Sequence, residues 1–194
     1  FVDGEGSSGF LPDELLTVTS YGRDGGAEIL AKFTDEGPLS EALAKHLAEK
    51  GLEVRLWAYE HVVVNAINTS HENSVFLKGV PLPSNLTATS SLVEAVHGCD
   101  GVLFAVPSHR TRSVLHQLAP YISEPIPFVC ATKGIEETTA KLMTQVMEDE
   151  LSPAMHRFLM VLSGPSFASE FSSGKPTALC LAGSDEQLVR QFQH

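Results

Sequence analysis

Short apolar segments alternate with segments of helical periodicity along most of this chain, and this alternation constrains the fold more than any other feature. The segment 40–51 carries apolar residues at helical spacing, and Gly51 can end it in a left-handed turn. It stands between apolar runs at 28–33 and 53–57. A strand, helix and strand joined so closely require parallel strands and a right-handed crossover.

The same alternation continues towards the C-terminus. We predict helices over 91–97, 109–121, 138–151 and from 185 onward, and strands over 101–106, 127–132, 158–162 and 177–182. In the helix over 138–151 we expect Leu142, Val146 and Met147 to face inward. The turn-rich stretch 65–84 is predicted to be irregular and to lie over an edge. The fold class is therefore α/β, a Rossmann-type, doubly wound and mostly parallel sheet.

Two boundaries divide the chain. Residues 1–26 are polar and glycine-rich without periodicity, so we expect a loose N-terminal arm, followed by one α/β domain over 27–194. The chain begins at Phe1 without a methionine and stops within a predicted helix. We therefore expect a fragment of a longer protein, with the domain truncated at its C-terminus.

Charge and cysteine content exclude several classes of partner. Thirteen basic against 24 acidic residues give a net charge of −11, which disfavours nucleic acid and anionic membranes. No apolar run has the length of a membrane span. Cys99, Cys130 and Cys180 fit buried thiols in a reducing compartment, and no metal site is expected because His71-Glu72 lacks the second histidine of a zinc-binding helix.

Two segments that follow neighbouring predicted strands carry the candidate chemistry. The segment 131–136 contains a lone cation, Lys133, and the segment 163–170 contains small residues that open a helix. Both should emerge at the edge of a parallel sheet where ligands bind in open α/β folds. A lysine beside unpaired helix N–H groups suits an anionic substrate whose carbonyl oxygen must be polarised.

Several strings of this sequence resemble the N-terminal domain of the NAD(P)-dependent glycerol-3-phosphate dehydrogenases. The resemblance covers about residues 41–190, and its most specific elements are Thr132-Lys133-Gly134 and Gly164-Pro165-Ser166-Phe167-Ala168. It implies a cytoplasmic oxidoreductase of glycerol-3-phosphate metabolism that interconverts dihydroxyacetone phosphate and sn-glycerol 3-phosphate with NAD or NADP.

The resemblance also implies roles for matched positions. Lys133 would be the catalytic residue that touches both the nicotinamide and the substrate, and Gly164 and Ser166 would help to hold the substrate. Tyr59 and Ala168 would lie against the cofactor, the former near its adenosine end. Of the family's glycine-rich phosphate loop, Gly37 alone is retained, and it is the remaining cofactor-binding candidate.

The phosphate loop is also where this sequence departs from the family pattern. Asp35 and Glu36 stand where a pyrophosphate would lie, and Pro38 removes an N–H donor, so cofactor affinity should be weakened. The family's helical C-terminal domain is absent from the sequence, so we expect the isolated chain to be inactive and to self-associate, up to a homodimer. Two alternatives stay open: a non-catalytic Rossmann-fold binding or regulatory module, and another dehydrogenase acting on hydroxy acids or sugar nucleotides.

Three further positions have competing interpretations. Trp57 is predicted to be a core or rim aromatic rather than a stacking platform. Glu60 is either an exposed acid or a ligand of an adenosine ribose hydroxyl that would favour NAD over NADP. His109, Arg110 and Arg112 form either a polar start to a helix or a cluster that contacts a phosphate.

Overall fold

The computed structural model describes residues 29–32, 39–73, 77–164 and 178–192. Over these residues the strands are β1 (Ile29–Lys32), β2 (Val54–Trp57), β3 (Glu72–Asn73), β4 (Leu77–Pro81), β5 (Leu86–Thr89), β6 (Gly101–Phe104), β7 (Phe128–Cys130), β8 (Leu159–Ser163) and β9 (Cys180–Gly183). The helices are α1 (Leu39–Glu49), α2 (His61–Ser70), α3 (Leu92–Val96), α4 (Ser108–Leu118), α5 (Met143–Glu150) and α6 (Glu186–Phe192). Short 3-10 turns follow α4 at Ala119–Tyr121 and precede β8 at Pro153–Phe158.

One sheet organises the described part of the chain, with the strand order β5-β2-β1-β6-β7-β8-β9. The first six of these strands run parallel, and β9 pairs antiparallel with β8. The chain builds outward from β1 through β2 to β5, then returns to the other side of β1 at β6. This reversal gives the Rossmann order, with a topological switch point between β1 and β6. The predicted fold class is confirmed.

Each face of the sheet carries its own hydrophobic core. Because successive side chains of a strand point to opposite faces, Leu103 and Val129 join one cluster while Phe104 and Phe128 join the other. The first cluster packs under α1, α2 and α6, and the second under α3, α4 and α5. Phe104 and Phe128 are nearly inaccessible to solvent, with ring centroids 5.6 Å apart. The sheet is therefore covered by helices on both faces.

The stretch predicted to be irregular, 65–84, is largely regular, so that prediction is wrong. The first residues of this stretch belong to helix α2. A two-stranded antiparallel sheet of β3 and β4 follows. The sequence gives little local signal for this helix. Val62, Val63 and Val64 favour strands, and Glu60, at the N-cap, makes no side-chain cap hydrogen bond. Burial of Val63 and Ile67 against the sheet outweighs these weak local preferences.

The helix predicted over 138–151 begins only at Met143, so its first turn was placed wrongly. The preceding residues form a closed turn in which the Glu136 N–H donates to the Lys141 carbonyl oxygen and the Ala140 N–H donates to that of Glu136. Leu142 is 57% exposed, which corrects its predicted inward orientation. Val146 and Met147 are fully buried as predicted.

Two predictions about cysteines and membranes have separate outcomes. Cys99 and Cys130 are buried cysteines as expected, whereas Cys180 is exposed on the edge strand β9, which corrects the prediction that it is buried. Burial raises the pKa of the Cys130 thiol, because the thiolate would lose its hydration.

Among the described residues no helix has both the length and the apolar character needed to cross a bilayer. The predicted arm over 1–26 lies outside the described residues.

The edge strand β5 is closed by a side chain of α2. The Asn68 amide nitrogen donates to the Ala88 carbonyl oxygen at 2.8 Å, and the Ala88 N–H donates back to the Asn68 Oδ1 at 2.8 Å. The side chain thus makes the pair of hydrogen bonds that a further strand would make, which protects an edge that could otherwise pair with another chain.

We predict that Asn68→Ala lowers the free energy of unfolding by about 1–2 kcal/mol, because two hydrogen bonds to the edge strand are lost. Asn65→Ala is the matched control, since Asn65 is exposed on the same helix one turn earlier. It corrects for the better helix propensity of alanine. Chemical denaturation of both variants measures the difference, and equal stabilities would contradict the role of Asn68.

Candidate functional site

Two of the predicted site segments leave the sheet side by side. Strands β7 and β8 pair in parallel, with Phe128 opposite Leu159 and Cys130 opposite Val161. Lys133 follows the end of β7 by three residues, and Gly164 directly follows β8. The sheet therefore brings these two predicted residues to the same edge, at the carboxyl ends of adjacent strands, where open α/β folds bind ligands.

The backbone around Lys133 is fixed by contacts with the segment that follows β6. The Thr132 hydroxyl donates to the Val106 carbonyl oxygen at 2.7 Å and lies 3.2 Å from the Val106 nitrogen, which donates to it. Gly134 has a φ of +104° and lies against Ser108, whose Cβ would be 3.5 Å from an added Cβ. A larger residue at position 134 would be strained in this conformation. Lys133, which lies between Thr132 and Gly134, is exposed.

Gly164 has a steric reason to be glycine. A Cβ at this position would lie 2.6 Å from the Ala178 carbonyl oxygen and 3.2 Å from Leu179. These distances are too short, so any side chain at position 164 would force the backbone to move. The close approach of the chain returning towards β9 therefore demands glycine, independently of any ligand. Ser166 and Ala168, the other predicted residues of this segment, lie outside the described residues, as does Gly37.

A charged network lies beside the Lys133 segment, and the sequence interpretation did not find it. The Arg112 guanidinium donates to both carboxylate oxygens of Glu136, Nε to Oε1 at 2.7 Å and Nη2 to Oε2 at 2.9 Å. It also reaches Asp149 at 2.9 Å and Glu150 at 2.7 Å, both on α5. Lys141 contacts Asp149 at 2.5 Å. Arg112 is thus a structural ion-pair residue, and the alternative in which it contacts a phosphate is wrong.

These contacts change the proton affinities of their members. The Arg112 guanidinium, with help from the Thr139 hydroxyl, holds the pKa of Glu136 at about 2, below its ordinary 4.5. Lys141 and then Arg112 lower the pKa of Asp149. The carboxylates, Glu136 first, raise the pKa of Arg112 above its ordinary value. Glu136, Asp149 and Arg112 therefore stay charged across the physiological pH range.

A cleft of about 810 Å³ lies between α3 and α4, near the end of β2. Trp57 and Val114 contribute apolar surface to its walls, and Tyr59 and Glu60 stand at the end of β2. Trp57 is 6% exposed, and its indole N–H donates to the Ser90 carbonyl oxygen at 2.9 Å, so its predicted core role is confirmed. Tyr59 is 75% exposed.

The remaining candidates at this edge separate into surface and cleft residues. His109 and Arg110 are exposed in the first turn of α4, as a polar helix start predicts, and Arg110 also borders the cleft. Glu60 is exposed at the N-cap of α2. Within the described part of the chain, no three His, Cys, Asp or Glu side chains are grouped so that they could hold a metal ion.

Comparison with known proteins gives a consistent result. The family model described as "NAD-dependent glycerol-3-phosphate dehydrogenase N-terminus" matches residues 36–189. Proteins named glycerol-3-phosphate dehydrogenase [NAD(P)+] from Koribacter versatilis and Myxococcus xanthus are 42% and 43% identical over 81% of this chain. The chain spans about half of their length, 47% in each case. A crystal structure of glycerol-3-phosphate dehydrogenase from Coxiella burnetii, 30% identical, superposes with a TM-score of 0.76 over 87% of this chain and 51% of its own.

We predict that folding stability falls as the pH drops from about 4.5 towards 2, partly because Glu136 takes up a proton. Its pKa is lower in the folded state, so its contribution is complete above pH 4.5 and is lost as the pH falls through about 2. Glu136→Gln should flatten this part of the profile. Unfolding midpoints measured against pH provide the test, with Glu137→Gln, an exposed neighbour, as control. Identical profiles for both variants would refute the assignment.

Proposed function

The chain belongs to the family of NAD-dependent glycerol-3-phosphate dehydrogenase N-terminal domains, and from this membership we propose that it forms the nucleotide-binding part of such an enzyme. Its cofactor would be NAD or NADP, and its substrate pair dihydroxyacetone phosphate and sn-glycerol 3-phosphate. Relatives of about 40% identity carry this activity in their names. Because the chain spans about half of their length, the activity of the whole protein is part of the proposal.

One observation carries this proposal: Lys133 and Gly164 follow adjacent parallel strands at one edge of the sheet. An ammonium group there can neutralise a phosphate or the negative charge that grows on a ketone oxygen during reduction. We assign Lys133 to substrate and cofactor contact and to catalysis. Gly164, together with Ser166, is assigned to the substrate.

The cleft beside β2 supports the cofactor part of the proposal. Its volume of about 810 Å³ is within the range of small-molecule sites, and it lies at the end of β2, where Rossmann folds receive the adenosine half. Tyr59 and Glu60 would meet the adenosine, and Gly37 and Ala168 would approach the rest of the cofactor. A bound nicotinamide cofactor supplies or accepts the hydride, and the residues of this chain orient it and exclude water.

A non-catalytic binding module remains the second candidate because of one sequence feature. At the sequence positions that match the family's phosphate loop this chain has Asp35, Glu36 and Pro38, whereas a pyrophosphate needs backbone N–H donors and no negative charge beside it. Titration with NADH separates the two candidates: a saturable rise in NADH fluorescence supports the dehydrogenase, and no binding at millimolar cofactor supports the module.

We further propose a cytoplasmic location and a homodimer, and light scattering tests the homodimer.

We predict that Lys133→Met weakens binding of sn-glycerol 3-phosphate, measured calorimetrically with NAD+ present, by about 10- to 100-fold. The magnitude follows from the loss of one hydrogen bond to a charged group. Lys50→Met is the control, because Lys50 is exposed directly after α1. If both variants bind as the unmodified protein does, Lys133 does not contact the substrate.

We also predict that Glu60 sets the preference between the two cofactors. A carboxylate near the adenosine ribose accepts a hydrogen bond from the 2′-hydroxyl of NADH and repels the 2′-phosphate of NADPH. Glu60→Gln should therefore raise the affinity for NADPH relative to NADH, by about tenfold if the charges lie within ~6 Å. Competitive fluorescence titrations measure the ratio, with Glu53→Gln, exposed before β2, as control. An unchanged ratio would place Glu60 away from the ribose.

A further inference from the structure

The tethers on both sides of Lys133 come from one element, α4 with the loop before it. On the N-terminal side, Thr132 is hydrogen-bonded to Val106. On the C-terminal side, Gly134 lies so near Ser108, the first residue of α4, that a Cβ added to Gly134 would be 3.4 Å from the Ser108 hydroxyl oxygen. The Glu136 carboxylate is then held by Arg112, one turn further along the same helix. Lys133 therefore lies on a short span of backbone that is held at Thr132 by the segment that follows β6 and at Glu136 by α4.

The contact between Arg112 and Glu136 is the strongest of these tethers. Two parallel N–H···O bonds join the guanidinium to the carboxylate, a geometry that fixes orientation as well as distance. The Glu136 side chain is 10% exposed, so water competes little for these bonds. The Thr139 hydroxyl donates to the same carboxylate. Removing the guanidinium would leave a largely buried charge without its main partner.

The far side of the guanidinium is held as firmly as the near side. Glu150 of α5 accepts a hydrogen bond from Nη1 at 2.7 Å, and Asp149 of α5 accepts one from Nη2 at 2.9 Å. The segment itself is closed by the hydrogen bond from the Glu136 N–H to the Lys141 carbonyl oxygen, and by a bridge between Ile135 and Leu142. Arg112 thus joins α4, α5 and the Lys133 segment, and it has no freedom to shift without moving all three.

We propose that Arg112, through Glu136, is a positioning residue that holds Lys133 where it meets the ligand. The proposal rests on the function proposed above for Lys133. Arg112 touches neither substrate nor cofactor, and it acts by fixing the backbone three residues from the ammonium group. Lysine cannot replace it, because an ammonium is a point donor and cannot form the two-pronged contact.

The first test measures the order of the segment without any ligand. Hydrogen exchange of peptides covering 131–142 should become at least about tenfold faster in Arg112→Gln, since the tether that limits local opening is lost. Arg190→Gln is the control, because it removes a solvent-exposed guanidinium–carboxylate contact, with Glu186, elsewhere in the chain. Unchanged exchange over 131–142 in Arg112→Gln would overturn the proposal. Should that variant fail to fold, Arg112→Lys and Glu136→Gln give the same comparison.

The second test separates positioning from general destabilisation. Binding of sn-glycerol 3-phosphate with NAD+ is measured for Arg112→Gln, Lys133→Met and the double variant. Arg112→Gln alone should weaken binding by about tenfold, because displacement of a binding group by about 1 Å is costly. In the Lys133→Met background it should have no further effect, since the two residues act as one unit. Equal losses in both backgrounds, or no loss in either, would overturn the proposal.

The two tests fail in different ways. If the unmodified protein binds neither NADH nor sn-glycerol 3-phosphate, the proposed function is wrong, and the positioning role is wrong with it whatever hydrogen exchange shows. If the unmodified protein binds both and Arg112→Gln binds equally well, the proposed function stands and the positioning role is wrong.

Discussion

The parallel pairing of β6, β7 and β8 is the constraint on which the rest of the site depends. The segments that follow neighbouring parallel strands begin at the same edge of the sheet. Residues that are far apart in sequence therefore lie close together there. Val106, Lys133 and Gly164 reach that edge in this way. Alternate side chains of these strands form the two hydrophobic cores. The packing of the sheet against its helices therefore fixes the positions of the strand ends that carry the site.

Helix α4 connects the two parts of this edge. One side of it borders the cleft beside Trp57 with Ser113 and Gln117, and another side holds the Lys133 segment through Arg112. Its inward stripe, with Leu115 and Leu118 fully buried, fixes it to the second core. A helix anchored in this way gives the cleft and the Lys133 segment one common support.

Local sequence patterns predicted the elements whose pattern agrees with their packing. The β6 strand and the α4 helix show clear periodicity, and both were found close to their observed bounds. Helix α2 was missed because its valines favour strands and its stability comes from tertiary burial. The Arg112 network was missed for a related reason: Glu136 lies 24 residues away in sequence, and no local pattern reports which acid meets which base.

The charges around Arg112 make this group unfavourable for an anionic ligand. Its guanidinium is matched by three carboxylates, from Glu136, Asp149 and Glu150, so the group carries excess negative charge even with Lys141 included. An anion is not attracted to this group, because like charges repel and four of the five guanidinium N–H groups already donate to these carboxylates. Under the proposed function, Lys133 and backbone N–H groups at the edge of the sheet would attract the phosphate in a chain of net charge −11. The position of the Lys133 ammonium would then matter for binding, and the Arg112 network is what holds the backbone next to it.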